Sequence, residues 1–244
     1  MLEEGLTVSG KPLKDHQEVM GHARAIDLLS AGLEDEVTES RLFDLHWAVQ
    51  SEFVVDICAW KREPNGTYTV TADGRQTYIE YAMPEDVPGL MAEWLAELNR
   101  LRKTPLSETA AIDAYARLHL GFVHIHPFWD GNGRLARLLS NLPLLGSGHL
   151  PMVIEVRDRK EYLDILAGYE QTTGRLTKTT GVWPAQALGH GVSGLLSAFL
   201  PSDTPLGRAG TRPTGQTGKC RSKQDKRQIL NPQITPTLAD SETK

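Results

Sequence analysis

Up to about Leu200, apolar residues recur at helical spacing, broken by short turns. One helix is predicted from about Lys14 to Leu33, with Val19, Ala23, Ile26 and Leu29 or Leu33 on one stripe. A second amphipathic helix follows from about Ser40 to Phe53. Between Gly66 and Met83 the period changes: Tyr68 to Thr71 and Gln76 to Tyr81 are β-prone and flank Ala72-Asp73-Gly74-Arg75. An Asp-Gly pair between two such runs predicts a hairpin, because glycine reaches the positive φ of tight hairpin turns. Helices resume at Val87 to Arg100, with Pro88 in the first turn, and at Ser107 to His124, where Ser107 is placed to cap. The latter carries the stripe Ala111, Tyr115, Leu118 and Phe122, the spacing of a buried face. Leu135, Leu138, Leu139 and Leu142 mark another buried helix beginning at about Arg134. The expected fold is mostly α: a bundle of roughly six to eight helices with one small hairpin.

Beyond Leu200 the character changes. Pro201 to Lys244 contains no aromatic residue and is rich in Pro, Thr, Gly, Gln and Lys, so it buries too little apolar surface to offset its ordering entropy. The expected organisation is a folded domain over residues 1–200 and a disordered tail over 201–244. The cluster from Lys219 to Arg227 reads as a solvated charge run, with a basic docking tail as the alternative.

Composition narrows the function classes. A net charge of −5 speaks against a general nucleic-acid binder, which needs clustered Lys and Arg. The chain has no run of about eighteen apolar residues, and it opens on Glu3 and Glu4 where a targeting segment would be basic and then apolar. A cytoplasmic location without membrane contact is expected. Cys58 and Cys220, far apart and outside any CxxC pattern, read as free thiols.

Chemistry concentrates in His126-Pro127-Phe128-Trp129-Asp130-Gly131-Asn132-Gly133-Arg134-Leu135-Ala136-Arg137. Pro127 disfavours helical geometry at the residue before it, so the preceding helix should end at His126 and present that imidazole at its exit. Gly131 and Gly133 around Asn132 allow backbone amides to converge into an anion nest at the N-terminus of the next helix. Arg134 and Arg137 lie three apart on that helix, expected in its first turn, where the macrodipole disfavours cations unless an anion is bound. A polyphosphate supplies that anion, with guanidinium forks for neighbouring phosphates. Asp130, just before the nest, is a hard oxygen ligand for a magnesium ion on the same phosphates. A mostly neutral His126 accepts the proton of an attacking hydroxyl.

This stretch resembles the signature of Fic proteins, His-Pro-Phe-x-Asp/Glu-Gly-Asn-Gly-Arg-x-x-Arg, at every specified position. The resemblance implies the Fic fold, with His126 as general base, Asp130 as magnesium ligand, and Gly131, Asn132 and Gly133 cradling the α- and β-phosphates of ATP. It further implies Arg134 on the β-phosphate, Arg137 on the γ-phosphate, and Phe128 as a buried anchor of the loop. The implied activity is transfer of AMP from Mg-ATP to a Ser, Thr or Tyr hydroxyl of a target protein, or of the chain itself. The hairpin at about 66–83 lies where the family keeps a flap that pairs with the target backbone as an added strand. Gly5 to Leu13 also looks like the N-terminal part of longer Fic proteins, so the resemblance extends over roughly Met1 to Gly174.

One feature departs from the family. Many Fic proteins carry an inhibitory Ser/Thr-x-x-x-Glu-Gly/Asn helix, whereas the only Glu-Gly pair here is Glu4-Gly5 and no Glu-Asn pair occurs. The expectation is an inhibitor preceding Met1 or a separate antitoxin whose glutamate reaches Arg137. Two other functions compete with AMP transfer: a Fic-fold phosphotransferase or other nucleotidyl transferase, and a silent module that binds nucleotide and peptide. His119, His124 and His126 lack a companion such as HExxH and are not expected to form a metal cluster; His119 and His124 read as polar core or surface residues. Trp47, Trp60, Trp94 and Trp129 are expected to pack, with an adenine contact as the alternative for Trp129. Tyr68 and Tyr78 read as ordinary hairpin residues, with contact to the target as the alternative.

Overall fold

A computed structural model describes residues 13–50, 59–70 and 75–184. Within them are seven α-helices: α1 (Leu13–Ala31), α2 (Glu39–Val49), α3 (Val87–Arg102), α4 (Glu108–Ile125), α5 (Asn132–Leu139), α6 (Leu142–Gly146) and α7 (Arg159–Thr173). Strands β1 (Gly66–Val70) and β2 (Gln76–Glu80) form an antiparallel pair with Tyr68 opposite Tyr78 and Gly66 opposite Glu80. The mostly helical bundle with one hairpin is as expected. The 72–75 turn lies largely outside the described residues, as do the tail, its basic cluster, Cys58 and Cys220.

The bundle is built around α4. Its predicted stripe of Ala111, Tyr115, Leu118 and Phe122 is fully buried, and Ala116, Leu120 and Val123 on its other faces are buried too. A helix apolar all round belongs in the middle of a bundle. Helices α3, α5, α6 and α7 pack against it. From α3, Trp94 is fully buried and donates its indole N–H to the Leu118 carbonyl at 2.8 Å. Ser107 caps α4 by accepting the Ala110 amide at 3.4 Å, and Thr38 caps α2 by accepting the Arg41 amide at 3.2 Å. Buried Asn99 of α3 closes a two-bond ring with the backbone of Val37, which fixes the entry to α2.

Three helix readings need correction. On α1, Val19 and Ile26 are exposed, and the buried face is Gly21, Ala25 and Leu29. The cause is close approach to α2: a Cβ on Gly21 would stand 2.8 Å from the carbonyl oxygens of Ala48 and Val49. Small residues therefore mark this contact, and large apolar ones misplace it. Helix α2 ends at Val49 with Gln50 as its C-cap, short of Phe53; residues 51–58 lie outside the described part. Helix α5 begins at Asn132, two residues before Arg134, which moves Arg137 out of the first turn. Among the tryptophans Trp94 packs as expected, whereas Trp47 and Trp129 are 47% and 59% exposed. Among the described residues no helix is long and apolar enough to cross a membrane.

Candidate active site

The loop between α4 and α5, together with α5 itself, holds every predicted site residue. Helix α4 ends at Ile125, and His126 is its C-cap in the left-handed region, φ 51 and ψ 60. It is the only non-glycine residue with positive φ among those described. Such a conformation is uncommon for a side chain with a Cβ and persists only where the surroundings impose it. Pro127 bars a further helical turn, and the His126 amide still closes onto the Phe122 carbonyl at 3.0 Å.

The imidazole is fixed at one nitrogen and on one face. Its Nδ1 lies 3.1 Å from the Val123 carbonyl, and because a carbonyl only accepts, Nδ1 carries the proton and Nε2 the lone pair. Tyr81, one residue past β2, stacks on the ring with centroids 3.9 Å apart and planes 4° apart. Burial pushes the His126 pKa down to about 4; the Val123 hydrogen bond opposes this, the Lys61 charge adds to it and Asp130 opposes it. The resting ring is neutral at pH 7, as a proton acceptor must be.

Beneath the loop, Phe128 is 1% exposed and serves as the anchor. His46 of α2 stacks on it at 3.8 Å and donates from Nε2 to the Asp130 carbonyl at 3.0 Å, with Trp60 at 5.3 Å on another side. Asn132 is spent inside the loop: its Oδ1 accepts the Phe128 amide at 2.9 Å and its Nδ2 donates to the Phe128 carbonyl at 2.8 Å. Only its backbone amide is left for a ligand. Gly131 has φ 84, and a Cβ there would lie 2.6 Å from the Gln50 amide nitrogen, so glycine is required on both counts. Gly133 is helical, and a Cβ there would meet only the Arg137 guanidinium, at 3.4 Å. The positive-φ nest thus reduces to Gly131 followed by a helix N-terminus, whose first amides have no intrahelical acceptor.

The two arginines differ. Arg134 donates to the Val49 carbonyl at 2.9 Å and pairs with Asp130 at 3.6 Å, so the C-terminal end of α2 supplies part of its compensation. Arg137 hydrogen-bonds Tyr162 and, among the described residues, has no ion-pair partner. Its charge also disfavours protonation of His22 and His119, after burial as the main cause. Asp130 is half exposed, with Oδ1 accepting the Gly131 amide at 2.6 Å. Among the described residues no three His, Cys, Asp or Glu side chains converge to hold a metal unaided. His119 and His124 are each 1% exposed and belong to the core; His119 meets the Tyr162 hydroxyl at 2.9 Å.

Residues 36–144 match the model of the Fic/DOC family. They form a Fic domain. Over 168 residues, 66% of this chain, the sequence is 33% identical to protein adenylyltransferase fic-1 of Caenorhabditis elegans, of which it spans 30%. Over 169 residues it is 31% identical to protein adenylyltransferase Fic of Drosophila erecta, of which it spans 32%. The chain therefore spans about a third of the length of these curated relatives. The fold superposes on a Fic domain containing signaling protein from Bacteroides thetaiotaomicron with a TM-score of 0.65 at 29% identity, over 81% of this chain and 73% of that one.

Four side chains of this Fic domain site have no signature in the sequence: His46, Lys61, Asn65 and Tyr81. Each reaches the loop from an element distant in the chain, and none sits at a spacing that advertises chemistry. Glu170 of α7 has no signature either: it acts on Tyr81 by its charge and is a carboxyl 4% exposed whose pKa burial pushes up to about 8.

Proposed function

We propose that the chain is a protein adenylyltransferase that moves AMP from ATP to a Ser, Thr or Tyr hydroxyl of a target protein or of the chain itself. The observation that carries this reading is the His126 ring, neutral and fixed through Nδ1, in the loop that leads directly into the N-terminus of α5. The named relatives support the same reaction class.

In this mechanism the phosphates lie over the first-turn amides of α5, at Asn132, Gly133 and Arg134, where the helix dipole favours negative charge. The Arg137 guanidinium takes the far end of the triphosphate, since Arg134 is already committed to Val49 and Asp130. His126 Nε2 accepts the target hydroxyl's proton as its oxygen bonds to the α-phosphorus, the bond to the bridging oxygen breaks, and pyrophosphate leaves. Val123 holds the imidazolium through Nδ1 until the proton is passed on.

Magnesium fits this donor set. The ion is satisfied by one or two carboxylates plus substrate phosphates and waters, and Asp130 offers one half-exposed carboxylate beside the phosphate cradle. When bound it would neutralise phosphate charge and orient the leaving pyrophosphate.

The hairpin β1–β2 leads into Tyr81 beside the base, and its exposed Tyr68 and Tyr78, ring centroids 5.0 Å apart, lie on the flap expected to dock the target. Control by a separate small antitoxin, through a glutamate placed on Arg137, belongs to the same proposal.

The test is incubation with Mg-ATP labelled at the α- or the γ-phosphate, alone and with a cell lysate. Protein-bound α label that vanishes in His126→Ala is expected. Label from the γ position alone would make the chain a phosphotransferase, and no label from either would favour a silent binding module.

A further inference from the structure

The segment between α2 and β1 contributes two polar side chains that the mechanism above does not use. Lys61 is 5% exposed, and its ammonium donates to Asn65 Oδ1 at 2.7 Å and to the Ile125 carbonyl at 3.4 Å. Its backbone amide donates to the Pro127 carbonyl at 2.9 Å, and the Asn65 side-chain amide donates to the Phe128 carbonyl at 3.3 Å. One short segment thereby takes the carbonyls on either side of His126. It also reaches the stacked face of the ring: the Asn65 carbonyl accepts the Tyr81 amide at 3.1 Å, and the Lys61 ammonium lies 6.0 Å from the Tyr81 ring centre.

Burying an ammonium without a carboxylate in hydrogen-bond contact is costly, and an apolar side chain of similar shape would serve stability at least as well. Burial lowers the Lys61 pKa to about 8, with Glu80 opposing. Two local features offset the cost: Ile125 is the last residue of α4, where the helix presents its negative end, and the Tyr81 ring offers its π face. What an apolar residue cannot supply is a positive charge behind the imidazole.

We propose that Lys61 is a positioning residue for the His126 base: clamped by Asn65, it fixes the carbonyls that frame the imidazole and sets a positive charge that acts on the ring. The inference rests on the reading of His126 as the proton acceptor. The titratable and charged groups around the pair are Glu80 on β2, Tyr81 after it, Asp130 in the loop and Glu170 on α7, the last acting on Tyr81. Lys61 is the only cation among the named causes of the His126 shift.

The test uses the full chain with two readouts. The His126 ring is titrated by NMR without substrate, its signal assigned by loss in His126→Ala, and label transfer is measured with α-labelled ATP. Lys61→Met should raise the His126 midpoint by about one pH unit, and Lys61→Arg should restore it. Transfer should lose about tenfold in kcat with little change in KM for ATP. If Lys61→Met fails to fold, Lys61→Gln keeps a donor toward the Ile125 carbonyl while removing the charge, and the same upward shift is expected. A His126 midpoint unchanged in a folded charge-free variant overturns the inference. A wild-type chain that shows the midpoint shift with Lys61 yet transfers no label supports the inference and removes the functional reading.

Discussion

Tyr81 lies flat against His126, ring centroids 3.9 Å apart and planes 4° apart, although the two residues come from the end of the hairpin and the end of α4. The stack ties the flap to the proton acceptor. Burial raises the Tyr81 pKa well above that of a free phenol, so the ring stays neutral and contributes a face and not a charge. Tyr81→Phe keeps that face and should retain kcat within about threefold, whereas Tyr81→Ala should lose about tenfold or more through freedom of the imidazole. Steady-state transfer assays on the two variants check this; equal losses would show that the hydroxyl matters and the stack does not.

The core histidines set an acid limit. Burial depresses His46 to about 4, His119 to about 3 and His124 to about 4, against about 6.5 when unfolded. The unfolded chain therefore binds more protons below about pH 6.5, and folding stability falls as pH drops from there toward 4. The combined loss is expected to be on the order of several kcal/mol, read as a falling urea midpoint between pH 7 and 4.5. His119→Gln should flatten part of that slope.

Glu170 acts in the opposite direction. Its buried carboxyl titrates near 8 in the folded chain and near 4.5 when unfolded, so the folded state holds the extra proton and stability falls as pH rises through that window. Glu170→Gln removes the linkage and should raise stability at pH 8 by about 1–3 kcal/mol, with little effect at pH 4.5. Thermal unfolding at the two pH values distinguishes this from a uniform gain.

Much of this arrangement is legible in the chain. Ala111, Tyr115, Leu118 and Phe122 announce α4 because a buried helix face repeats with the helical period, and Pro127 announces its end. The twelve residues from His126 to Arg137 are local, so their chemistry travels with their order. What stays hidden is whatever depends on long-range packing. Gly21 and Ala25 make the α1–α2 contact because backbones approach closely there, and no hydrophobic period encodes that. The left-handed backbone at His126 is imposed by its surroundings, as histidine itself does not demand it. His46, Lys61 and Tyr81 act only through contacts made across the fold.

Gly131 tolerates no side chain, for two independent reasons. Its φ of 84 strains any residue with a Cβ, and the added atom would press on the Gln50 amide at 2.6 Å. Gly131→Ala should cost about 1–3 kcal/mol and displace the first amides of α5. Calorimetric titration with ATP should show weaker binding than in Gly133→Ala, where a Cβ meets only the movable Arg137 guanidinium at 3.4 Å.

His126 and Arg137 separate binding from chemistry. The imidazole's fixed hydrogen bond is to Val123, inside its own helix, so its removal takes away the proton acceptor and leaves the α5 amides and both arginines in place. His126→Ala should abolish transfer, by at least about a hundredfold, with ATP affinity within about twofold of wild type. Of Arg134 and Arg137, it is Arg137 that is not tied to a carboxylate among the described residues, so Arg137→Ala should weaken ATP binding by about tenfold or more while AMP binding changes less. Arg134→Ala, by contrast, also cuts the tie to Val49 and should lower stability together with binding. Equal loss of ATP binding in His126→Ala and Arg137→Ala would undo the division of roles, because it would place the imidazole in the phosphate site and leave the target's proton without an acceptor.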